Sequence, residues 1–121
     1  MAIGPTLVPG HDTKCKVYKW TDVVTSDTCS PVKIPYFDDM TIYVHGVANN
    51  ETVALHGSPE AAYGSPSLFA PLKSGGTAIS LTDTTTINKC ALVDENALWY
   101  KPVIGSAGDG STLMSIWLVV K

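Results

Sequence analysis

The sequence predicts an all-β fold, an antiparallel β-sandwich of about eight strands with either jelly-roll or immunoglobulin-like connections. Three observations carry the prediction. No window of 11 or more residues repeats apolar positions at helical spacing without a glycine or proline interrupting it. Ten glycines and eight prolines punctuate the 121 residues. The stretches between them are short and rich in Val, Ile, Thr, Tyr and Trp, as several strands at regular spacing would be.

The strands follow in order. Residues 1–13 hold Gly4, Pro5, Pro9 and Gly10 with little to bury beyond Leu7 and Val8, so they are expected to form an extended N-terminal arm. The sandwich domain is then residues 14–121, with strands near 15–24, 32–35, 40–48, 51–57, 77–82, 85–92, 97–104 and 112–120. Asp38-Asp39 and Asp94-Glu95-Asn96 mark turns, and the stretch from Gly105 to Ser111 reads as a hairpin loop.

The third and fourth strands form the clearest local element. Met40 to Ala48 is followed by Asn49-Asn50, and Glu51 to Gly57 comes next. Asn-Asn accepts the positive φ values of a two-residue type I′ turn, which predicts a hairpin. In that register Ile42, Val44, Val53 and Leu55 make the core face. Tyr43, His45, Val47, Thr52, Ala54 and His56 make the other. His45 and His56 would then be diagonal neighbours, with His11 in the arm as a further donor for a metal. The face offers no acid or cysteine beside them, and the expectation is no metal and no cofactor.

The last strand differs from the others. Met114, Ile116, Leu118 and Val120 line one face, while Leu113, Trp117 and Val119 make the second face apolar too. An antiparallel sandwich ordinarily covers one face of each strand, so the second implies a partner surface. The candidate interface residues are therefore Leu7 and Val8 in the arm with Leu113, Trp117 and Val119 in the last strand. Trp20, Trp99, Trp117, Tyr36, Tyr43 and Tyr63 also offer stacking surfaces for sugars, with one tryptophan expected in the core.

Composition narrows the function. The chain carries a net charge of −3 and takes all its basic residues as lysine, lacking the arginine that suits bidentate phosphate recognition. Only Lys14, Lys16 and Lys19 lie close together, so no nucleic-acid partner is expected. The start of the chain has neither a basic nor an apolar signal-peptide region. The run from Ile116 to Val120 is far shorter than the ~20 residues of a membrane helix. A protein made in the cytoplasm, with no membrane, is the expectation. Cys15, Cys29 and Cys90 are an odd set at wide spacing and read as buried free thiols. Nucleophile elbows, phosphate loops and zinc-protease motifs are missing from the sequence, so catalysis is not expected.

From residue 40 onward the layout resembles small β-sandwich virion proteins of tailed bacteriophages. The likeness lies in Met40–Gly46, in Thr52-Val-Ala-Leu-His-Gly-Ser58 and in Leu98-Trp-Tyr-Lys-Pro102. It continues in the Gly105–Ser111 turn and the final Leu113–Val120 strand. The chain departs from the pattern at Lys101, where those proteins often carry arginine. The loop from Ser58 to Lys73 also lacks an Asp-Gly-x-x-Trp stretch. The resemblance implies a capsid decoration or cement protein on the virion surface, binding the major capsid protein and stabilising the head. It would bridge neighbouring capsid subunits as a homo-oligomer, with a trimer favoured. A tail or neck component and a carbohydrate-binding sandwich are the alternatives.

Overall fold

In the computed structural model, residues 1–8, 15–35, 38–60, 68–105 and 111–121 are described. His11, Lys14, Tyr36, Tyr63, the arm beyond Val8 and the turn at Asp109-Gly110 lie outside them.

Each predicted strand is present among the described residues. They are β3 (Lys16–Val23), β5 (Val32–Lys33), β6 (Met40–Val47), β7 (Thr52–Ser58), β12 (Thr86–Leu92), β13 (Trp99–Gly105) and β14 (Leu113–Val120). The eighth, near 77–82, divides into β10 (Thr77–Ala78) and β11 (Leu81–Thr82). Five further two-residue strands accompany them: β1 (Ala2–Ile3), β2 (Thr6–Leu7), β4 (Thr28–Cys29), β8 (Ala70–Pro71) and β9 (Lys73–Ser74).

Most strands pair into two facing sheets, in the orders β12-β6-β14-β3-β2 and β11-β7-β13-β5, with β8 also beside β7. β1 with β4, in parallel, and β9 with β10 make two small two-stranded sheets. Counting the eight strands β3, β5, β6, β7, β11, β12, β13 and β14 from one end, the first pairs with the eighth and the second with the seventh. The third pairs with the sixth and the fourth with the fifth. All these pairs are antiparallel. This is a long ribbon of strands wrapped upon itself, the jelly-roll arrangement. The immunoglobulin-like alternative is thereby excluded.

The predicted β6–β7 hairpin is corrected by this order. Its turn forms as expected: Asn49 and Asn50 have φ of 47° and 68°, and the Glu51 N–H donates to the Ala48 carbonyl at 2.9 Å. The flanking strands, however, enter opposite sheets. β6 pairs with β12 and β14, and β7 pairs with β13, β11 and β8. The turn is a corner between sheets. β13 and β14 likewise lie in different sheets, so the stretch between them does not close a paired hairpin. A true two-residue hairpin joins β9 to β10 instead, around Gly75-Gly76 with φ of 60° and 84°.

The core fills the space between the sheets. Trp20, Met40, Ile42, Val44, Met114, Ile116, Leu118 and Ile87 come from one side; Val53, Leu55, Tyr100 and Leu81 come from the other. Burying a side chain of this size contributes about 1.5–3 kcal/mol, so this cluster is the main source of stability. The two large polar-tipped members are satisfied locally. The Trp20 indole N–H donates to the Ser30 carbonyl at 2.9 Å. The Tyr100 hydroxyl accepts from the Ala97 N–H at 2.7 Å and donates to the Ala97 carbonyl at 2.8 Å.

One end of the roll is tied together by its connections. The Asn50 N–H donates to the Asp83 carbonyl at 2.9 Å, the Asn49 amide to the Ser111 carbonyl, and the Thr25 and Thr112 hydroxyls meet at 2.7 Å. Below this end β3 carries a bulge. Thr21 and Asp22 lie between Trp20 and Val23, which face Ile116 and Met114, leaving two residues against Ser115. The Asp22 N–H donates to the Ser115 hydroxyl at 3.3 Å, and Asp22 itself has φ of 52°.

Candidate binding face

Strand alternation sends the odd residues of β6 and β14 away from the core. Register then sets them side by side on the outer face of the β12-β6-β14-β3 sheet. One row reads Leu92, Thr41, Val119, Val17; the next reads Cys90, Tyr43, Trp117, Lys19. The third row reads Asn88, His45, Ser115, and the fourth Thr86, Val47, Leu113. Leu113 is 49% exposed and Tyr43 43% exposed, whereas Trp117 and Val119 are half-buried. Three of the five predicted interface residues, Leu113, Trp117 and Val119, are thus gathered on one face. Leu7 and Val8 belong instead to the far edge of the same sheet, on and just after β2, where the Val8 N–H donates to the Val17 carbonyl at 2.8 Å.

Trp117 is the centre of the face. Tyr43 stands directly opposite it on β6, and Lys19 opposite it on β3. The Lys19 ammonium lies 5.0 Å from the centre of the indole ring, a cation–π contact that fixes the ring. Between the rings and the next row runs a groove of about 360 Å³, lined by Tyr43, His45, Asn88, Trp117 and Val119. That lies within the size range of small-molecule sites. The outward residues of β6, β12 and β14 include no Asp or Glu.

The other sheet presents a different outer face. Phe69 is buried there beneath Lys101, whose ammonium is 4.5 Å from the ring centre, and His56 sits beside Lys101 on the adjacent strand. Burial first, and the Lys101 charge second, hold the His56 imidazole below the usual histidine range. That face is partly roofed by the chain itself.

The expected proximity of His45 and His56 is overturned by the corner at Asn49-Asn50. His45 is exposed on one outer face and His56 half-buried on the other. Among the described residues no group of three His, Cys, Asp or Glu could hold a metal. Cys29 and Cys90 are free thiols, as expected, but of the three cysteines only Cys29 is buried; Cys15 is half-buried and Cys90 exposed. Burial, with Asp27 nearby, pushes the Cys29 thiol up to about 12. Of the tryptophans, Trp20 is the core residue, and Trp99 and Trp117 are half-buried.

Several residues of the face were not singled out from sequence, among them Asn88, Leu92 and Ser115. Asn88 and Leu92 reach it because β12 pairs with β6, a contact between strands about 45 residues apart that leaves no local signal. No family model, curated protein or solved structure matches the chain. No helix among the described residues is long and apolar enough to cross a membrane.

Proposed function

We propose that the protein is a structural component of a tailed-phage virion, a decoration or cement subunit seated on the major capsid protein. Its jelly-roll order supports the reading, because this fold recurs in viral capsid domains. That is an argument from analogy of fold. The resemblance of residues 40–120 to small phage virion proteins points the same way.

The observation that carries the reading is the placement of exposed apolar side chains. Among the described residues the two most exposed large hydrophobics are Met1, at 85%, and Leu7, at 59%. Both belong to the segment 1–8, which lies on the sandwich through backbone bonds. The Thr28 N–H donates to the Met1 carbonyl at 2.9 Å and the Ser30 N–H to the Ile3 carbonyl at 2.8 Å. β2 is an edge strand, with one side of its backbone directed away from the sheet. An apolar edge held on a stiff sandwich suits contact with a second protein, and repetition over a capsid multiplies a modest contact.

The test is cosedimentation of purified protein with phage heads stripped of it. Wild type sediments with the heads, and Leu7→Ser lowers retention by about tenfold without changing the unfolding midpoint. Equal retention of the variant contradicts the reading.

A further inference from the structure

We propose that the groove at Trp117 is a binding site for a pyranose ring of a glycan, a second site separate from the Leu7 edge and independent of the head-binding reading. The argument rests on two adjacent rows of the outer face. The first sets two aromatic side chains, Tyr43 and Trp117, directly opposite each other on neighbouring strands. The second, two residues along, sets an amide, an imidazole and a hydroxyl in line, at Asn88, His45 and Ser115. The two rows are separated by ~6.8 Å along the strands, and neighbours within a row by ~4.8 Å.

A pyranose has the matching asymmetry. One face of its ring presents C–H groups that stack on an aromatic surface, and its edge presents hydroxyls that both donate and accept. The aromatic row offers the first contact, and Asn88 and His45, which line the groove, offer donors and acceptors for the second. The groove of about 360 Å³ between them is of a size for one sugar ring with part of its neighbour. With no carboxylate at the outward positions of β6, β12 and β14, a sugar would be held without a bridging metal ion. Lys19, fixed 5.0 Å from the Trp117 ring centre, closes the row on the β3 side and adds a donor there.

A flat apolar protein partner would have no use for the Asn88-His45 line, since covering it without partners would strand an amide and an imidazole. That line is what favours a sugar as the occupant of this groove.

The test is titration of the full chain with methyl glycosides of glucose, galactose, mannose and N-acetylglucosamine and their disaccharides, read by tryptophan fluorescence and calorimetry. At least one saturates, and EDTA leaves its affinity unchanged. Trp117→Ala weakens binding about tenfold or more and Asn88→Ala severalfold, and Asn88→Ala leaves head retention unaltered. Tyr43→Ala serves as a second probe of the aromatic row, its side chain being exposed and outside the core. Failure of every glycoside to bind, or equal binding by the Trp117 and Tyr43 variants, overturns the proposal. Loss of head retention in Leu7→Ser bears only on the decoration reading.

Discussion

Gly46 lies so close to Leu113 that no other residue fits in its place. Its φ is 141°, and a Cβ there would run into the Leu113 carbonyl and come within 2.9 Å of the Met114 Cα. The two residues bring β6 and β14 together where both reach the loop-tied end of the roll. Gly46→Ala should cost about 1–3 kcal/mol from the backbone conformation alone, with the clash added to it. Urea unfolding measures it; a midpoint equal to wild type would mean that the strands separate there freely.

Tyr100→Phe probes the lock at the start of β13. The hydroxyl it removes serves both the N–H and the carbonyl of Ala97, in a side chain that is otherwise fully buried. A loss of about 1–3 kcal/mol is expected, because two backbone groups lose their partner in a place with little water. A neutral substitution would show that water replaces the hydroxyl.

His56 gives the protein a pH dependence whose sign follows from its surroundings. Burial and Lys101 hold the folded-state imidazole below the ordinary 6.5, so the unfolded chain takes up its proton first. The contribution is fully present above the ordinary value. It is lost progressively as pH falls below it, until the folded protein also takes up the proton. Unfolding midpoints measured from about pH 8 to about pH 5 should decline, and His56→Asn should flatten that decline. An unchanged slope in the variant would place the titrating group elsewhere.

The thiols should divide by reactivity. Cys90, exposed on β12, reacts with iodoacetamide in the native protein, whereas Cys29, buried and with its thiol pushed up to about 12, reacts only on unfolding. Peptide mass spectrometry before and after adding urea separates them. Native modification of Cys29 would contradict its burial.

Strand positions were legible in the sequence because alternation is local. Tyr43 and Val44, or Trp117 and Leu118, declare opposite faces by spacing alone. The second apolar face of β14 was legible for the same reason, and it led to Leu113, Trp117 and Val119. Partners were not legible. The backbone of an Asn-Asn turn suits a hairpin and a corner between sheets equally; at Asn49-Asn50 it makes the corner, and what decides is the competition of β12 and β14 for β6. That choice moved His56 to the far side of the molecule and brought Asn88 beside His45. The jelly-roll order is a sum of such nonlocal choices, which is why sequence left it open against an immunoglobulin-like one. Strands of two residues, such as β4 and β8, are too short to carry a period at all.

The decoration reading is tested most directly by counting copies of the chain per virion, by quantitative mass spectrometry of purified phage against the major capsid protein. A subunit seated across the head surface predicts copies on the order of hundreds, in fixed ratio to the capsid protein, as symmetric assembly requires. A few copies, or about a dozen, would assign it to the tail or neck; none would remove it from the virion.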